Sequence, residues 1–392
     1  MQKFLSWFLP VVVVCAIMFI FSPFQDTHWP KWFVFYICAA AGMGIYYGCR
    51  IHSSVGLLVA STIFSGSMAF ANRLAYAQVH LVEQIDIANV ASKATLCFLI
   101  MIWFAERLSL KVMWSLVNAY IAVCVAHCFY AMYQIATLKP PLTFPATNGF
   151  LPNISMGPSM LAMLLPIVIW KAMGTKEKNY RRMYWAVVAL FILMNYLHQS
   201  SISYAAIVAS VVTLVFCTMT IIFGKFRAFA GGVVLTALLI PIGAMFDNTW
   251  TNFTQINRFK YWPMFFNWWW ENASHAFGTG TGTFRHIGPV IQTMNPKYEE
   301  GWWLWAHNDW LQIMFECGII GVVAAFCVGL VAIGRAYRSM HFGLVAALVS
   351  TGVVMAGNYP LRLAEFSTLV MLLVGIAFKM DTENLKDGDF DF

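Results

Sequence analysis

The stretch WLWAHNDWLQIMFECGIIGVVAAFCVGLVAI, from Trp303 to Ile333, decides the fold class of this chain. It starts with aromatic residues, crosses the polar run His307-Asn308-Asp309 and then continues as an apolar segment. About 20 mostly apolar residues suffice to cross a bilayer as an α-helix. The stretch therefore predicts a membrane-spanning helix that carries a histidine, an amide and a carboxylate where it begins.

Apolar runs of this kind recur along the whole chain. Hydrophobic residues make up 60% of the 392 residues and charged residues only 10%, whereas a soluble domain is about 25% charged. Because lipid offers the backbone no hydrogen-bond partner, these segments are expected to form helices. We predict an all-α, polytopic integral membrane protein.

The distribution of Lys and Arg sets the predicted topology, because these residues favour cytoplasmic loops. Basic clusters recur after every second apolar run and place both termini in the cytoplasm. The first run lacks a cleavage site and is interpreted as an uncleaved span rather than a signal peptide. About 12 spans are predicted, at residues 4–22, 31–49, 53–71, 92–105, 112–137, 156–173, 184–198, 204–223, 228–246, 309–333, 341–357 and 363–380.

These spans divide the chain into four parts. Spans 1–9 occupy residues 1–246, a large outside loop with short helices occupies 247–306, spans 10–12 occupy 307–380, and 381–392 form a cytoplasmic tail. The loop far exceeds the common connection length of about 2–6 residues, and its many aromatic residues predict that it is folded. Its tryptophans are interpreted either as sugar-stacking surfaces or as an aromatic belt, and both interpretations stay open for Trp268, Trp269 and Trp270.

The cysteines and the net charge exclude several classes of function. The nine cysteines include no CxxC pair, so neither a metal site nor a disulfide framework is predicted. The formal net charge of +7 does not indicate nucleic-acid binding, because the positive residues fall at the ends of the predicted helices.

Three glycines at alternate positions, Gly278, Gly280 and Gly282, lie in the outside loop. Backbone N–H groups in such a segment can cradle a phosphate. The alternative is a plain flexible turn, which the spacing alone favours because the segment does not join a predicted strand to a helix.

His307 is the candidate proton acceptor of the chain. An unperturbed imidazole has a pKa of about 6.5, which suits proton transfer near neutral pH, and the positive end of a helix dipole would keep it neutral. Taken alone, the residue is more simply an interfacial histidine with an ordinary hydrogen bond. For Asp309 we expect a cap on the following helix rather than a catalytic role.

Four arginines are predicted on the outside face, where the positive-inside bias disfavours them. A guanidinium group binds phosphate oxygens through a planar fork, so an anionic ligand at the outer leaflet would explain their position. These candidate ligands are Arg73, Arg258, Arg285 and Arg362.

The order of four motifs resembles a known family. Asn-Arg-Phe-x-x-Trp begins at Asn257, Phe-Gly-x-Gly-x-Gly-x-Phe at Phe277, Ala-His-Asn-Asp-Trp-Leu-Gln with a later Glu-x-Gly-x-x-Gly at Ala306, and Tyr-Pro-Leu-Arg at Tyr359. In this order they resemble the bacterial O-antigen ligase and O-antigen polymerase superfamily. The resemblance covers roughly Gly149 to the last span.

The resemblance implies a GT-C-like membrane glycosyltransferase of the bacterial inner membrane whose site faces the periplasm. The donor would be a glycan on undecaprenyl diphosphate, and the acceptor would be lipid A–core in a ligase, a carrier-linked repeat in a polymerase, or a protein. By resemblance His307 would activate the acceptor hydroxyl and Arg258 would hold the diphosphate. Membrane lipids are expected partners, nucleic acid is not, and neither a metal nor another cofactor is expected.

The predicted site extends beyond these two residues. One departure concerns Tyr204, which falls near the place of a family arginine, so that this diphosphate contact would be missing or supplied by Arg73, Arg285 or Arg362. The further candidate substrate contacts are Asn308, Asp309, Trp262, Gly280, Gly282 and Tyr204.

Two other classes of function are compatible with a polytopic membrane protein. A transporter or lipid-carrier flippase would gather polar residues at the bilayer midplane, often in repeated halves, whereas here they gather at the predicted outer face. A catalytically inactive scaffold is the second alternative. Within the enzyme interpretation the His-Asn-Asp motif and the loop favour a ligase over a polymerase, and direct displacement predicts inversion at the anomeric carbon.

Overall fold

A computed structural model of the chain describes residues 108–137, 156–198, 201–223, 257–294 and 304–380. The predicted spans at 4–22, 31–49, 53–71, 92–105 and 228–246 lie outside the described residues, as do Arg73 and the tail 381–392. The described residues are helical apart from short connections and one isolated bridge between Ser274 and Gly278. The all-α prediction is therefore confirmed for this part of the chain.

The helices follow the predicted apolar runs closely, because each run is long enough to form a helix that satisfies its backbone hydrogen bonds within the run itself. A short 3₁₀ helix, Pro360–Arg362, separates the last two α-helices. The α-helices are α1 (Leu110–Thr137), α2 (Met156–Gly174), α3 (Lys178–His198), α4 (Ser201–Phe223), α5 (Asn257–Asn272), α6 (Phe284–Thr293), α7 (Asp309–Arg338), α8 (Phe342–Met355) and α9 (Ala364–Met380).

Four of the described helices are long and apolar enough to cross a bilayer. Within α1, α2, α4 and α7 these segments are Leu110–Gln134, Gly157–Gly174, Ser203–Thr220 and Asp309–Arg338. Two shorter apolar helices, Phe342–Met355 and Phe366–Met380, follow α7. The predicted span at 184–198 forms a helix as part of α3, but α3 is not among these four.

The bundle is organised around α2 and α8, which pack against each other and against α4. Every residue from 157 to 168 in α2 is buried. Ser350 on α8 donates its hydroxyl hydrogen bond to the carbonyl oxygen of Ala162 at 2.9 Å, an interhelical bond of the kind that holds membrane helices together. This packing holds α8 in the bundle, and from the C-terminal end of α8 the chain runs into the 3₁₀ helix.

The described part of the predicted outside loop folds around an aromatic cluster. Phe284 of α6 lies edge-on to Phe265 of α5 at 4.9 Å and to Phe315 of α7 at 5.1 Å between ring centroids. Such edge-to-face pairs each add about 0.5–1.5 kcal/mol beyond the area that they bury. The cluster therefore ties α5 and α6 to the first turns of α7.

The three consecutive tryptophans of α5 have different surroundings. Trp269 is fully buried, and Trp268 stacks on Phe315 at 5.5 Å. Trp270 is 55% exposed and stacks on His275 at 4.4 Å. Trp269 is thus a core residue, and of the three only Trp270 presents most of its ring at the surface.

Helix α7 is broken at Gly318, whose φ of 68° and ψ of −169° are not helical. In a regular helix the carbonyls of Phe315 and Glu316 would accept from residues 319 and 320. Here they accept instead from the N–H groups of Thr279 and Gly280, at 2.9 and 2.8 Å. The glycine segment is therefore bonded into the break rather than forming a flexible turn.

The other side of the break is satisfied in the same way. The N–H groups of Ile319 and Ile320 donate to the carbonyls of His275 and Ala276, at 2.9 and 3.3 Å. A Cβ added at Gly318 would lie 2.3 Å from the Ala276 oxygen. Two intrahelical bonds, from Ile319 to Phe315 and from Ile320 to Glu316, are thus exchanged for four bonds between segments. This exchange requires the two backbones to approach more closely than a side chain allows.

Candidate active site

His307 lies two residues before the first residue of α7, and its φ of 51° places it in the left-handed region. Both of its neighbours are fixed. The N–H of Ala306 donates to Oε1 of Gln312 at 3.3 Å, and the carbonyl of Ala306 accepts from Nε1 of Trp262 at 2.8 Å. On the other side, Asn308 caps the helix by accepting from the N–H of Leu311 at 3.0 Å.

The expectation that Asp309 caps α7 is wrong. The cap is Asn308, whose extended backbone turns its side chain toward the free N–H groups of the first turn. The buried Asp309 carboxylate instead accepts from the N–H of Leu361 at 2.8 Å, and the N–H of Asp309 donates to the carbonyl of Asn358 at 3.2 Å. Asp309 therefore joins the start of α7 to the connection between α8 and α9.

A buried ion pair lies about two helical turns further along α7 than Asp309. Nη2 of Arg362 donates to Oε2 of Glu316 at 2.9 Å, and their side chains are 12% and 1% exposed. Nε2 of Gln312 donates to the other carboxylate oxygen at 2.9 Å. Burial alone would lower the pKa of Arg362, but the Glu316 and Asp309 carboxylates outweigh it and raise the pKa, so the guanidinium stays charged.

An aromatic cluster joins the imidazole to two guanidinium groups. The ring of His307 lies edge-on to Tyr359 at 4.7 Å, and Tyr359 stacks on Trp305 at 6.4 Å between centroids. The guanidinium carbons of Arg285 and Arg362 lie 5.8 and 5.6 Å from the centroid of the Trp305 ring, within the range of cation–π attraction. We call His307, Tyr359, Trp305, Arg285 and Arg362 the His–Arg cluster.

The match with known proteins covers the segment that contains most of this geometry. Residues 155–326 match the family model described as O-antigen ligase. The match covers less than half of the chain. The comparison with curated proteins finds no individual relative. The resemblance predicted from the sequence motifs is thereby confirmed, and it indicates a membrane enzyme of the O-antigen ligase or polymerase type.

The matched segment runs from the start of α2 into the second half of α7. It includes His307, Arg285 and Glu316, whereas Tyr359 and Arg362 come after it in the chain. The His–Arg cluster is therefore completed by residues from the connection between α8 and α9.

Some predicted site residues are not brought into the cluster. Arg258 lies in the first turn of α5, but its side chain is outside the described part of the structure. Tyr204 donates its hydroxyl hydrogen bond to the carbonyl of Tyr196 at 2.9 Å, which links α4 to α3. The N–H of Gly280 donates a hydrogen bond to the main-chain oxygen of Glu316. The substrate contacts of Gly280, Gly282 and Tyr204 stay predictions.

Four residues of the candidate site were missed from the sequence, namely Trp305, Tyr359, Gln312 and Glu316. A signal for two of them existed. Asp309, Gln312 and Glu316 follow one another at spacings of three and four, which places them on one face of a helix. A polar face on an otherwise apolar span indicates partners elsewhere in the fold. For Trp305 and Tyr359 no periodicity was available, because both lie outside regular helices.

No metal site was predicted, and within residues 108–137, 156–198, 201–223, 257–294 and 304–380 no group of three His, Cys, Asp or Glu side chains is arranged to hold a metal ion. The His–Arg cluster brings together an imidazole and two guanidinium groups. They can accept a proton and bind an anion, respectively.

Proposed function

We propose that this protein is a membrane glycosyltransferase that moves a glycan from undecaprenyl diphosphate to an acceptor hydroxyl at the periplasmic face of the bacterial inner membrane. The observation that carries the proposal is the His–Arg cluster, in which one imidazole and two guanidinium groups share a pair of stacked aromatic rings. The match of residues 155–326 to the O-antigen ligase family supports the same class of reaction.

In this proposal His307 is the general base. The acceptor oxygen forms a bond to the anomeric carbon of the glycan while the bond from that carbon to the diphosphate oxygen breaks. His307 takes the hydroxyl proton as the bond forms and later releases it to water. A single displacement of this kind inverts the anomeric configuration, and it needs no metal ion because arginines stabilise the leaving group.

Arg285 and Arg362 bind the diphosphate in this proposal, with Arg258 and Arg73 as further ligands. Fixed positive groups in a site with little water stabilise the charge that develops on the leaving group. Arg362 has N–H donors available to bind the diphosphate. Its Nη2 is bonded to Glu316, but its buried Nε–H has no hydrogen-bond partner within the described part of the chain.

The acceptor is lipid A–core in the form of the reaction that we favour, which makes the protein an O-antigen ligase. A polymerase would use a second carrier-linked repeat instead, and a protein glycosyltransferase would use a protein hydroxyl. These forms share the donor and the base, so they differ only in what occupies the acceptor side.

The test is a transfer assay with purified protein in lipid nanodiscs. Carrier-linked glycan is incubated in turn with lipid A–core, with further carrier-linked repeat and with a protein acceptor, and the products are separated on a gel. We expect lipid A–core alone to gain the mass of the glycan. A gain of mass by another acceptor would assign the alternative reaction, and movement of intact glycolipid across liposomes without bond change would replace the enzyme proposal by a transporter.

A further inference from the structure

Three separate motifs of the chain meet at one residue, Glu316. Its main-chain oxygen accepts from the N–H of Gly280 in the glycine segment at 2.8 Å. Its side chain accepts from Arg362 of the 3₁₀ helix and from Gln312 of α7, each at 2.9 Å. The residue is 1% exposed in its side chain.

The hydrogen bonds of Glu316 exclude the role of a base for this carboxylate. One oxygen is bonded to a charged guanidinium and the other to an amide N–H, so a proton would have to displace one of these donors. A buried carboxylate that is fully paired stabilises a geometry instead. The partner whose geometry it sets is Arg362.

The position of Glu316 is itself set by the helix break. Because Gly318 leaves the helical conformation, the carbonyl of Glu316 is released from residue 320 and is held by Gly280. On the side-chain face, Gln312 links the carboxylate to the N–H of Ala306, directly before His307. Gly280 thus holds the main chain of Glu316 and Gln312 holds its side chain, in addition to the contact with Arg362.

A guanidinium fork binds phosphate oxygens well only when its plane has the right orientation. The bond from Nη2 to Glu316 and the contact with the Trp305 ring fix two points of the Arg362 side chain. An arginine without the first of these could rotate about its flexible stem.

We propose that Glu316 is a positioning residue, which holds the Arg362 guanidinium in the orientation that binds the lipid diphosphate, and that the glycine segment holds Glu316. This inference rests on the proposed function, since it takes the diphosphate as the ligand of Arg362. It assigns the glycine segment a role at the site through the main chain of Glu316 rather than through contact with the phosphate.

The experiment is a binding cycle that uses a radiolabelled polyprenyl diphosphate without glycan, with the polyprenyl monophosphate as the comparison ligand. Dissociation constants are measured in nanodiscs for the wild type, Glu316→Gln, Arg362→Met and the double variant. Glu271→Gln is the matched control, because Glu271 is an exposed glutamate on α5. We expect Glu316→Gln to weaken diphosphate binding about tenfold in the wild type and less than about twofold in the Arg362→Met background, since coupled neighbours are non-additive.

Glu316→Gln leaves a buried charge without its counter-ion, so it is paired with a second variant that keeps the charge. Glu316→Asp withdraws the carboxylate by one methylene from Arg362, and the same loss and the same non-additivity are expected. If either variant weakens binding equally in both backgrounds, Glu316 acts independently of Arg362 and the inference is overturned. It is also overturned if both variants bind the diphosphate as the wild type does.

The proposed function fails in a different way. A wild-type protein that does not retain the polyprenyl diphosphate, or that binds it no better than the monophosphate, rejects the diphosphate donor and the positioning role together. Wild-type binding with additive variant effects rejects the positioning role alone. A change caused by Glu271→Gln would mean that the assay reports surface charge, and the positioning role would then fall as well.

Discussion

The two parts of helix α7 on either side of Gly318 have opposite surroundings. Before the break, Asp309, Gln312 and Glu316 are buried polar side chains that bond to other segments. After the break, apolar side chains point outward, with exposed fractions near one half, as at Ile320, Val323 and Phe326. The comparison teaches that the two parts of one continuous helix have different roles. The first part binds other segments of the protein through buried polar side chains, and the second part is a membrane-facing helix.

The physical reason for the difference lies in what each part can satisfy. A buried carboxylate is tolerated only where donors surround it, and the connection between α8 and α9 supplies such donors beside the first part of α7. The second part spans the region where lipid is expected, where charged side chains are costly. The helix break at Gly318 marks the boundary between these two conditions.

The largest effect should come from the residue that leads into the first part of α7. His307→Ala removes the proposed base and should lower glycan transfer by about 10²–10⁴-fold. Transfer of the glycan to the acceptor is measured on gels, with the elution profile in detergent as the control for folding. A variant that transfers the glycan at the wild-type rate would remove His307 from the chemistry.

The boundary itself is tested by Gly318→Ala. Alanine is strained at this backbone conformation by about 1–3 kcal/mol, and its Cβ would meet the Ala276 carbonyl oxygen at 2.3 Å. We expect a clear drop in the thermal unfolding temperature.

The matched control for this prediction is Gly329→Ala in the second part of the same helix. A Cβ added there meets nothing within 4 Å, and alanine favours a helix over glycine by about 1 kcal/mol. Gly329→Ala should therefore unfold at the same temperature as the wild type or slightly above it. Equal unfolding temperatures for both variants would show that the two parts of α7 are not separated by a strained break.

A smaller effect is expected from Asn308→Ala, which removes the cap on the first part of α7. The loss of the hydrogen bond to the N–H of Leu311 should lower the free energy of unfolding by about 1 kcal/mol. Asn308→Ser keeps a side-chain oxygen and should recover most of it. Denaturation in detergent compares the three proteins, and a serine variant as weak as alanine would argue against capping.

The smallest effect is expected from Val323→Leu in the second part of α7. Val323 is 53% exposed, so a larger apolar side chain finds space beside the membrane-facing surface. The free energy of unfolding should change by less than about 0.5 kcal/mol, as measured in the same denaturation experiment. A large loss would mean that this surface is packed against protein rather than lipid.

The sequence predicted the helices well where length and apolarity decide. The predicted span at 112–137 corresponds to α1, that at 156–173 to α2 and that at 363–380 to α9, each within a few residues. Boundaries shifted where polar residues continue a helix, since α3 begins at Lys178 rather than at 184. A charged first turn remains helical because its backbone bonds do not depend on apolar side chains.

The candidate site was predicted only in part. His307, Arg285 and Arg362 were identified from residue type and position, and the structure gathers them around Trp305 and Tyr359. The role of Asp309 was assigned wrongly. Its carboxylate could accept either from the first N–H groups of its own helix or from an N–H far away in the sequence, and the sequence does not distinguish these two partners. The spacing of Gln312 and Glu316 indicated a polar face but not the arginine that it would meet.

By itself the sequence determined that the described part of this chain is helical, where the long apolar spans of that part lie, and that a motif order similar to that of the O-antigen ligases runs through it. These properties depend on residues close together in the chain, through hydropathy and spacing. Only the tertiary structure decided that the glycine segment is bonded into the break of α7, that Asn308 is the cap, and that Glu316 meets Arg362 across 46 positions of sequence. Contacts of that kind depend on which backbone groups the helix break leaves open and on how two distant segments pack, and no local pattern encodes that choice.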